Sequence, residues 1–373
     1  MIEGLLWDTC RMKHLLLFVL LTSLSFFTAC RISPEQPLQT PTHTAQPEFN
    51  PIIHTEPTTS PAPTRLTLNT PTVTSSPAVE KRVSLMAVGD IMLGRTVGEQ
   101  IESEGITFPF AFTAETLSKA DVTIGNLECP ISTKGNPQNK AYAFRAPLNA
   151  ASSLAYGGFD LVSLANNHIL DYGPAALEET LKTLTENQIH AVGAGLDDVL
   201  AYQPVFMDIN GLRLAFLAFL DIPATDYDYP GWEAAPGKSG IAWAHSHRVS
   251  EGVKAAKQQS DIVIVLFHNG YEIVQKVSSA QQEIARLAID NGASLVIGSH
   301  PHVLQRIEYY RDGLIAYSMG NFVFDNFLFP PNYSAILVVE LTEDGVESYQ
   351  LIDVVIQLNG IPQVMPYNHD LRP

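Results

Sequence analysis

Short apolar segments recur along the chain from Arg82 onward, and each ends in polar residues. The clearest runs, rich in leucine and β-branched residues, are 82–90, 121–128, 159–166, 261–269 and 294–300. Between several of these runs, apolar residues recur every three or four positions, as in 173–188 and 278–292, which is typical of amphipathic helices. The alternation of buried strands with helices predicts an α/β fold.

Two other segments have the pattern of antiparallel hairpins. Residues 204–220 contain an Asn-Gly turn between two apolar runs, and residues 306–320 contain an Asp-Gly turn in the same setting. Further apolar runs follow in 334–366, again separated by Asp-Gly and Asn-Gly. Parallel and antiparallel strands together predict a mixed pair of sheets flanked by helices, not a single parallel sheet.

Polar residues that can bind a metal follow nearly every predicted strand. In α/β sheets the carboxyl ends of the strands face the ligand crevice, so such residues can converge from distant parts of the chain. Carboxylates, amides and imidazoles together are typical ligands of Mn, Zn or Fe. We therefore predict a site for one or two divalent transition metal ions. Its candidate ligands are Asp90, Glu128, Asn167, His268, His300 and His302.

Each of these residues also has a simpler structural explanation. Asp90 could cap the following helix, and Glu128 could be a solvated loop charge. His268 could be a histidine whose polar atoms are satisfied within the core. Asn167 and His168 could satisfy the turn into the next helix. Coincidence at five separate strand ends is nevertheless less probable than coincidence at one.

Two histidine pairs have a spacing of two residues. His300 and His302 in "GSHPH" would point the same way in extended chain, and Pro301 would stiffen that spacing. His245 and His247 have the same spacing but no apolar strand before them. We therefore predict a metal-binding role for the first pair and a polar loop or helix start for the second.

The N-terminal segment resembles a bacterial lipoprotein signal. Basic residues after Met12 precede an apolar run at 15–27 that is short for a membrane span. The run ends in "FTAC", which resembles the lipobox, whose cysteine becomes the lipidated first residue of the mature protein. We predict a signal peptide over 1–30, with Cys30 lipidated and Met12 as the true start. A plain membrane anchor or an unlipidated cleaved signal is the alternative.

The composition divides the remainder of the chain into two parts. Residues 31–80 are dominated by Pro, Thr and Ser and cannot bury enough surface to fold, so we predict a disordered tether before a folded domain at 81–373. The formal net charge of −17 disfavours binding to nucleic acid. Only Cys129 lies in the predicted domain, which excludes an internal disulfide and a zinc-thiolate cluster there.

Several motifs together resemble the CapA family of bacterial capsule (poly-gamma-glutamate) synthesis proteins. They occur in order between Arg82 and Asp325 and are "AVGDIMLGR", "IGNLECPIS", "YAFRAP", "SLANNHILDYG", "VGAGLDD", "VIGSHPHVLQ" and "YSMGNFVFD". The segment "FHNGYE" departs from the His-Trp-Gly-x-Glu pattern common in the family, because Asn269 replaces the tryptophan. His268 and Glu272 are retained.

The resemblance implies the fold of calcineurin-like metallophosphatases, a four-layer αββα sandwich with a two-metal centre between its mixed sheets. By this resemblance, Asp90 corresponds to the aspartate of the first motif, and Asn167-His168 to the Asn-His pair. The lone histidine and the paired histidines correspond to His268, His300 and His302. Two family ligands are missing: Met92 takes the place of the first-motif histidine, and Glu128 is the nearest substitute for the bridging aspartate.

These features predict a membrane-anchored, exported metallohydrolase that acts on a phosphoester or on an anionic polymer. We assign catalytic roles to His168, as a proton donor to the leaving group, and to Arg95, as a clamp for an oxyanion. Asn126 and Glu272 are predicted to contact the substrate. The alternative is a non-catalytic binding or assembly component for capsule polymer synthesis or export, with the capsule synthesis machinery as its partner, since a fold does not determine a function.

The lipid anchor can be tested directly. A Cys30→Ala variant should move from the membrane fraction to the soluble exported pool or to an uncleaved precursor, because the acylated residue is lost. Cell fractionation and mass spectrometry of the mature N-terminus measure this. Unmodified Cys30 in the mature wild-type protein would contradict the prediction.

Overall fold

The computed structural model describes residues 81–223, 227–325 and 330–366. The predicted signal peptide with Cys30 and the predicted tether at 31–80 lie outside these residues. Of the helices in the described part, none has the length and apolar character needed to cross a membrane. Those α-helices are α1 (Arg95–Glu104), α2 (Ala114–Leu117), α3 (Ala150–Tyr156), α4 (Pro174–Glu186), α5 (Asp198–Tyr202), α6 (Ser246–Lys257) and α7 (Ser279–Asp290).

The strands follow the alternation of apolar and polar runs. In chain order they are β1 (Arg82–Ile91), β2 (Val122–Leu127), β3 (Leu161–Ser163), β4 (His190–Val192), β5 (Ala194–Gly195), β6 (Val205–Ile209), β7 (Leu212–Asp221), β8 (Gly240–Ile241), β9 (Ile262–Asn269), β10 (Leu295–Ser299), β11 (Ile307–Tyr310), β12 (Gly313–Ala316), β13 (Asn321–Val323), β14 (Tyr333–Thr342), β15 (Gly345–Ile356) and β16 (Pro362–Val364). Short 3₁₀ turns occur at Phe108–Phe110 and Tyr229–Trp232.

Two mixed sheets contain most of these strands. In the described residues the first sheet has the order β16-β15-β14-β1-β2-β3-β4, with β13 beside the end of β1. The second has the order β11-β12-β10-β9-β7-β6, and β5 pairs with β8 separately. The neighbours β1, β2 and β3 are parallel, as are β7, β9, β10 and β12. The second sheet therefore has parallel central strands with an antiparallel strand at each margin, whereas the first is parallel from β1 to β4 and antiparallel from β14 to β16.

Alternating side chains separate three hydrophobic cores. On β1, Leu85 packs into the core between the sheets, while Met86 packs into the core shared with α1, α3 and α4. On β7, Leu214 faces the same inter-sheet core, while Ala215 faces α6 and α7. Because side chains alternate along a strand, each sheet is covered on both faces. The layers are helix, sheet, sheet and helix, which confirms the predicted four-layer sandwich.

The predicted hairpins are also confirmed. Strands β6 and β7 pair antiparallel across the Asn-Gly turn, and β11 and β12 pair antiparallel across the Asp-Gly turn. One strand is shorter than its apolar run, since β3 ends at Ser163 within the run 159–166. The chain turns there because the side-chain oxygen of Asn166 accepts hydrogen bonds from the backbone of His168 and Ile169, at 3.1 and 3.0 Å.

Close backbone contact beside Gly89 fixes the end of β1. The backbone N–H of Asp90 donates to the carbonyl of Gly320 at 2.9 Å, and Asp90 is paired with Asn321 of β13. A Cβ atom at position 89 would overlap the carbonyl oxygen of Gly320. Glycine is therefore required here for the approach of two backbones.

A Gly89→Ala substitution should destabilise the fold by about 3 kcal/mol or more, because the overlapping atom belongs to a backbone that cannot rotate away. Gly252→Ala in α6 is the matched control. Its Cβ would lie 3.4 Å from the nearest atom, Leu217 Cδ2, and alanine favours a helix by up to about 1 kcal/mol. Urea denaturation of both variants measures the difference, and equal stability of the two would contradict this account.

Candidate metal centre

The parallel strands of both sheets end at one place in the molecule. Strands β1, β2 and β3 of the first sheet meet β9 and β10 of the second, and the residues at or just beyond their ends converge. All six predicted metal ligands lie there, and each is at most 5% exposed: Asp90, Glu128, Asn167, His268, His300 and His302. The structure thus brings together residues that are up to 212 positions apart in sequence, from 90 to 302.

Glu128 lies at the centre of this cluster. Its Oε1 is 3.7 Å from His268 Nε2, 4.0 Å from His302 Nε2 and 4.0 Å from His168 Nε2. Among the described residues neither carboxylate oxygen has a hydrogen-bond partner, although the side chain is fully buried. Burial raises the pKa of Glu128 well above its usual range, and the charge of Asp90 raises it further. A buried carboxylate with unfilled acceptor sites is a natural position for a cation.

The ligand atoms form two groups that share Glu128. In one group, atoms of Asp90, Glu128 and His302 lie within 4.8 Å of one another. In the other group the same holds for Glu128, His268 and His300. The Oδ1 atom of Asn167 is 2.8 Å from His268 Nε2 and adds an amide oxygen to the second group.

The charge of the buried carboxylates also acts on the histidines. Burial alone would lower the pKa of His302, but Glu128 and Asp90 outweigh it and raise the pKa to about 9. For His268 and His300 burial prevails, and it lowers the pKa of both rings well below the usual range. The Nδ1 atom of His300 has no hydrogen-bond partner among the described residues. His268 and His300 are therefore in the neutral form that metal binding requires, whereas a metal would have to displace a proton from His302.

The backbone of the paired histidines differs from the sequence prediction. His300 has φ of 95° and His302 has φ of 55°, so neither residue is in extended chain. Their rings nevertheless lie near each other, with centroids 6.1 Å apart. Hydrogen bonds hold this turn, since Asp90 Oδ2 accepts from the His300 backbone at 3.3 Å and His302 Nδ1 is 2.8 Å from Asn321 Oδ1. Left-handed backbone at such positions is typical of functional sites.

Asn126 lies beneath the ligands, not at a surface that substrate can reach. It is 3% exposed, and its Nδ2 donates to Asp90 Oδ1 at 2.9 Å and is 3.1 Å from His268 Nδ1. Its Oδ1 accepts from Asn166 Nδ2 at 3.2 Å. The predicted contact with substrate therefore has no geometric support, and the geometry assigns Asn126 to the orientation of two ligands.

The three polar residues at 166–168 have different tasks. Asn166 is structural: its Nδ2 also donates to the backbone carbonyl of Leu127 at 2.8 Å. Asn167 presents its side-chain oxygen to the ligand cluster. His168 places Nδ1 2.7 Å from Asp171 Oδ2 and stacks on Phe144, with ring centroids 4.2 Å apart. Burial lowers the pKa of His168 to about 4, although the charge of Asp171 opposes this shift.

Asp171 and Lys140 are functional candidates that the sequence did not reveal. Asp171 is fully buried and also accepts hydrogen bonds from Lys140 Nζ at 2.7 Å and from the backbone of Phe144 at 2.6 Å. Lys140 donates to the Asn167 carbonyl as well, at 2.6 Å. The spacing of three residues between His168 and Asp171 was the available signal, because it suits a side-chain pair in a turn. Lys140 lies in a loop and gave no signal.

A pocket of about 660 Å³ opens onto the cluster. Asn167, His168 and His300 form part of its wall, together with Lys140 and the exposed residue Glu272. Tyrosines contribute much of the remaining surface, at positions 142, 227, 229 and 271. Glu272 is exposed at the pocket wall, and its predicted contact with substrate stays a prediction.

Arg95 does not face the cluster of candidate ligands. Its guanidinium pairs with the Asp325 carboxylate and lies 4.8 Å above the ring of Phe144. Since Phe144 stacks on His168, this ring lies between the guanidinium and the centre. The predicted role as an oxyanion clamp has no geometric support, because α1 begins at Arg95 and directs the side chain to a separate surface pocket.

Met92 is buried, whereas the second histidine pair lies at the surface. Met92 is fully buried, and its sulfur accepts a hydrogen bond from the Gly94 backbone at 3.2 Å. His245 and His247 lie on the surface where α6 begins, and His245 Nε2 is 2.9 Å from Glu233 Oε1. This second histidine pair lies at a helix start, as predicted.

Known proteins match the chain over most of its length. The model of the family described as bacterial capsule synthesis protein PGA_cap matches residues 84–326. The capsule biosynthesis protein CapA of Bacillus anthracis is 32% identical over 291 residues, which cover 76% of this chain and 69% of that protein. The PGA biosynthesis protein CapA of Bacillus subtilis (strain 168) is 30% identical over 277 residues, which cover 74% and 72%.

A solved structure of a hypothetical protein from Thermus thermophilus aligns with a TM-score of 0.47 at 15% identity, covering 72% of this chain and 98% of that one. The residues matched by the family model include every candidate ligand and both members of the His168–Asp171 pair. They also span both sheets except for the strands after β13. The chain therefore belongs to the PGA_cap family of bacterial capsule synthesis proteins.

Proposed function

We propose that this protein is a metal-dependent hydrolase of capsule synthesis. The observation that carries the proposal is the buried Glu128 carboxylate, which has no hydrogen-bond partner among the described residues and lies between three imidazoles. A purely structural carboxylate at full burial would be paired or hydrogen-bonded. Here the groups around Glu128 have the composition of a metal site.

The donor set fits a divalent transition metal. It combines imidazoles, carboxylates and one amide oxygen, which suits Mn, Zn or Fe, and it lacks the thiolates of a structural zinc site. We propose two ions, with Glu128 shared between the group of Asp90 and His302 and the group of Asn167, His268 and His300. When bound, such ions would act as Lewis acids and would lower the pKa of water towards about 7.

His168 provides proton transfer at the pocket wall. Because the Asp171 carboxylate accepts a hydrogen bond at 2.7 Å, the neutral ring carries its proton on Nδ1 and presents a lone pair at Nε2. With a pKa of about 4, the ring is neutral at pH 7. His168 must therefore accept a proton at Nε2 before it can donate one to a leaving-group oxygen, so it acts as a relay.

The substrate that best suits this site is anionic. The chain has a net charge of −17, and Lys140, the cation among the residues that line the pocket, is already paired with Asp171. A metal centre would supply the positive potential that attracts a phosphoester or an anionic polymer to an acidic protein. The names of the Bacillus relatives refer to capsule and PGA biosynthesis, which supports a substrate or product of that process.

We further propose that a lipid on Cys30 anchors the exported domain at the membrane. The Pro-rich segment 31–80 would then act as a tether that lets the pocket reach polymer or synthesis machinery near the surface.

The second candidate function is an assembly component without catalysis. A relative in Mycobacterium tuberculosis is named a probable polyglutamine synthesis accessory protein. The word accessory supports this second function, so the experiments below separate it from catalysis.

The metal centre can be tested with a double variant. Replacing His300 and His302 by alanine should remove bound transition metal, because each of the two ligand groups loses an imidazole. The fold should persist, since three apolar cores stabilise it independently. Elemental analysis and circular dichroism measure the two effects. The control is the double alanine variant of His245 and His247, which should keep its metal; full occupancy in the first variant would place the centre elsewhere.

Proton transfer can be tested with His168→Gln. This variant should retain the metal and its melting temperature, while kcat falls by about 10²- to 10⁴-fold, as is typical for loss of general acid–base catalysis. The loss should be greatest for substrates with poor leaving groups, which need the proton most. A series of aryl and alkyl phosphate esters measures this dependence, with His190→Gln, an exposed histidine on β4, as the control.

The outcomes separate the two candidate functions. Wild-type activity of His168→Gln would refute the relay, and unfolding of this variant would favour a structural role for residues 166–168. If the wild-type protein binds metal but hydrolyses neither phosphate esters nor poly-gamma-glutamate, the assembly component becomes the better explanation.

A further inference from the structure

The loop that follows β9, residues 270–277, is fixed at the side of the metal centre by buried amides. Gln281 of α7 donates from Nε2 to Gln305 Oε1 at 2.9 Å and to the Asn269 carbonyl at 3.4 Å. Gln305 in turn donates to the Val274 carbonyl at 2.8 Å. A capping box between Ser278 and Gln281 begins α7 at the end of the loop. The loop therefore has a defined position although most of its side chains are exposed.

Ile273 in this loop has an unusual backbone conformation. Its φ is 61°, in the left-handed region that β-branched residues rarely adopt. Its N–H donates to the carbonyl of Pro301 at 2.8 Å, between the two histidines of the metal centre. Strain of this kind persists only where the surrounding structure imposes it, and it concentrates at functional sites. The tie to Pro301 therefore fixes the residue before it, Glu272, next to the histidines.

Glu272 approaches both paired histidines. One of its carboxylate oxygens and one ring nitrogen from each of His300 and His302 all lie within 4.8 Å of one another. His300 belongs to one of the two ligand groups and His302 to the other, so Glu272 lies beside both. Unlike the other candidate ligands, Glu272 is exposed and reaches the centre from the pocket side.

We propose that Glu272 is a ligand of a divalent transition metal in this centre, contributed from the pocket side. This inference rests on the metal centre of the proposed function. The group of Asp90, Glu128 and His302 offers three donors, whereas zinc in proteins takes four and Mn or Fe takes more. Glu272 supplies a further carboxylate oxygen, which lies within 4.8 Å of a ring nitrogen of His302 in that group. The position also places this ligand in the wall of the pocket, together with Asn167 and His300.

Metal titration of the full-length chain tests this role without reference to activity. The detergent-solubilised, metal-stripped protein is titrated with Mn²⁺ or Zn²⁺ by calorimetry, and bound metal is counted by elemental analysis. Glu272→Gln and Glu272→Ala should weaken one class of site by at least about tenfold, since loss of even an indirect metal partner typically costs that much. The control is Glu283→Gln, an exposed glutamate on α7, which should bind metal as the wild type does.

Each result has a distinct meaning. Metal affinity and stoichiometry equal to wild type in both Glu272 variants would overturn the inference, because a residue that contacts only substrate leaves metal binding unchanged. The proposed metal centre would survive that result, since the wild type still binds. A wild-type chain that binds neither ion would overturn the metal centre and Glu272 as its ligand together. Weaker metal binding in the Glu272 variants, together with wild-type metal binding in Glu283→Gln, would support the assignment.

Discussion

The cost of burying the Glu128 carboxylate governs the arrangement of everything around it. Moving a charged carboxylate out of water costs several kcal/mol unless a cation or hydrogen bonds compensate. At the meeting point of the two sheets, the supporting groups are hydrogen-bonded to one another, as Asn126 is to Asp90 and Asn166 to Asn126. Both Glu128 oxygens and His300 Nδ1 have no hydrogen-bond partner among the described residues, and an oxygen of Glu128 lies within 4.8 Å of a ring nitrogen of His300. The pattern of satisfied and unsatisfied polar atoms thus outlines the ligand set.

A second layer of contacts holds the His168 ring in place. The Asp171 carboxylate accepts hydrogen bonds from Lys140 Nζ, from the backbone N–H of Phe144 and from His168 Nδ1. Lys140 also lies over the rings of Tyr229 and Trp232, 4.9 and 5.2 Å from their centroids. One buried carboxylate therefore joins two loops and orients one imidazole. Such preorganisation is what the proposed proton relay would require, because proton transfer depends on correct positioning.

Strand-derived features of the site were predictable from the sequence, and loop-derived features were not. Apolar runs ending in Asp90 or His268 indicated buried strands, and the parallel topology then placed their ends together. The predicted position of Arg95 differs from the observed one, because a sequence does not reveal in which direction the first residue of a helix points. The pairing of Asp171 with Lys140 joins two irregular segments, whose spatial relation follows from tertiary packing and not from periodicity.

The prediction of extended backbone at the paired histidines was wrong, because tertiary hydrogen bonds and not the sequence pattern determine the conformation there. A two-residue spacing implies a shared direction only in extended chain, but hydrogen bonds to Asp90 and Asn321 stabilise left-handed backbone at His300 and His302. The proximity of the two rings was nevertheless expected correctly. Two side chains can lie close together with different backbone conformations. Correct identification of the candidate ligands therefore does not guarantee a correct prediction of their local backbone geometry.

The backbone contact at Gly89 has a consequence for the spacing of the two sheets. The segment that includes Met319 and Gly320 hydrogen-bonds to both sheets, through Gly320 O to the Asp90 N–H at 2.9 Å and through the Met319 N–H to Gly298 O at 3.0 Å. This segment acts as a main-chain spacer between β1 and β10, directly beside the ligands they carry. Main-chain hydrogen bonds, and not core side chains alone, therefore connect the strands that carry the candidate ligands Asp90 and His300.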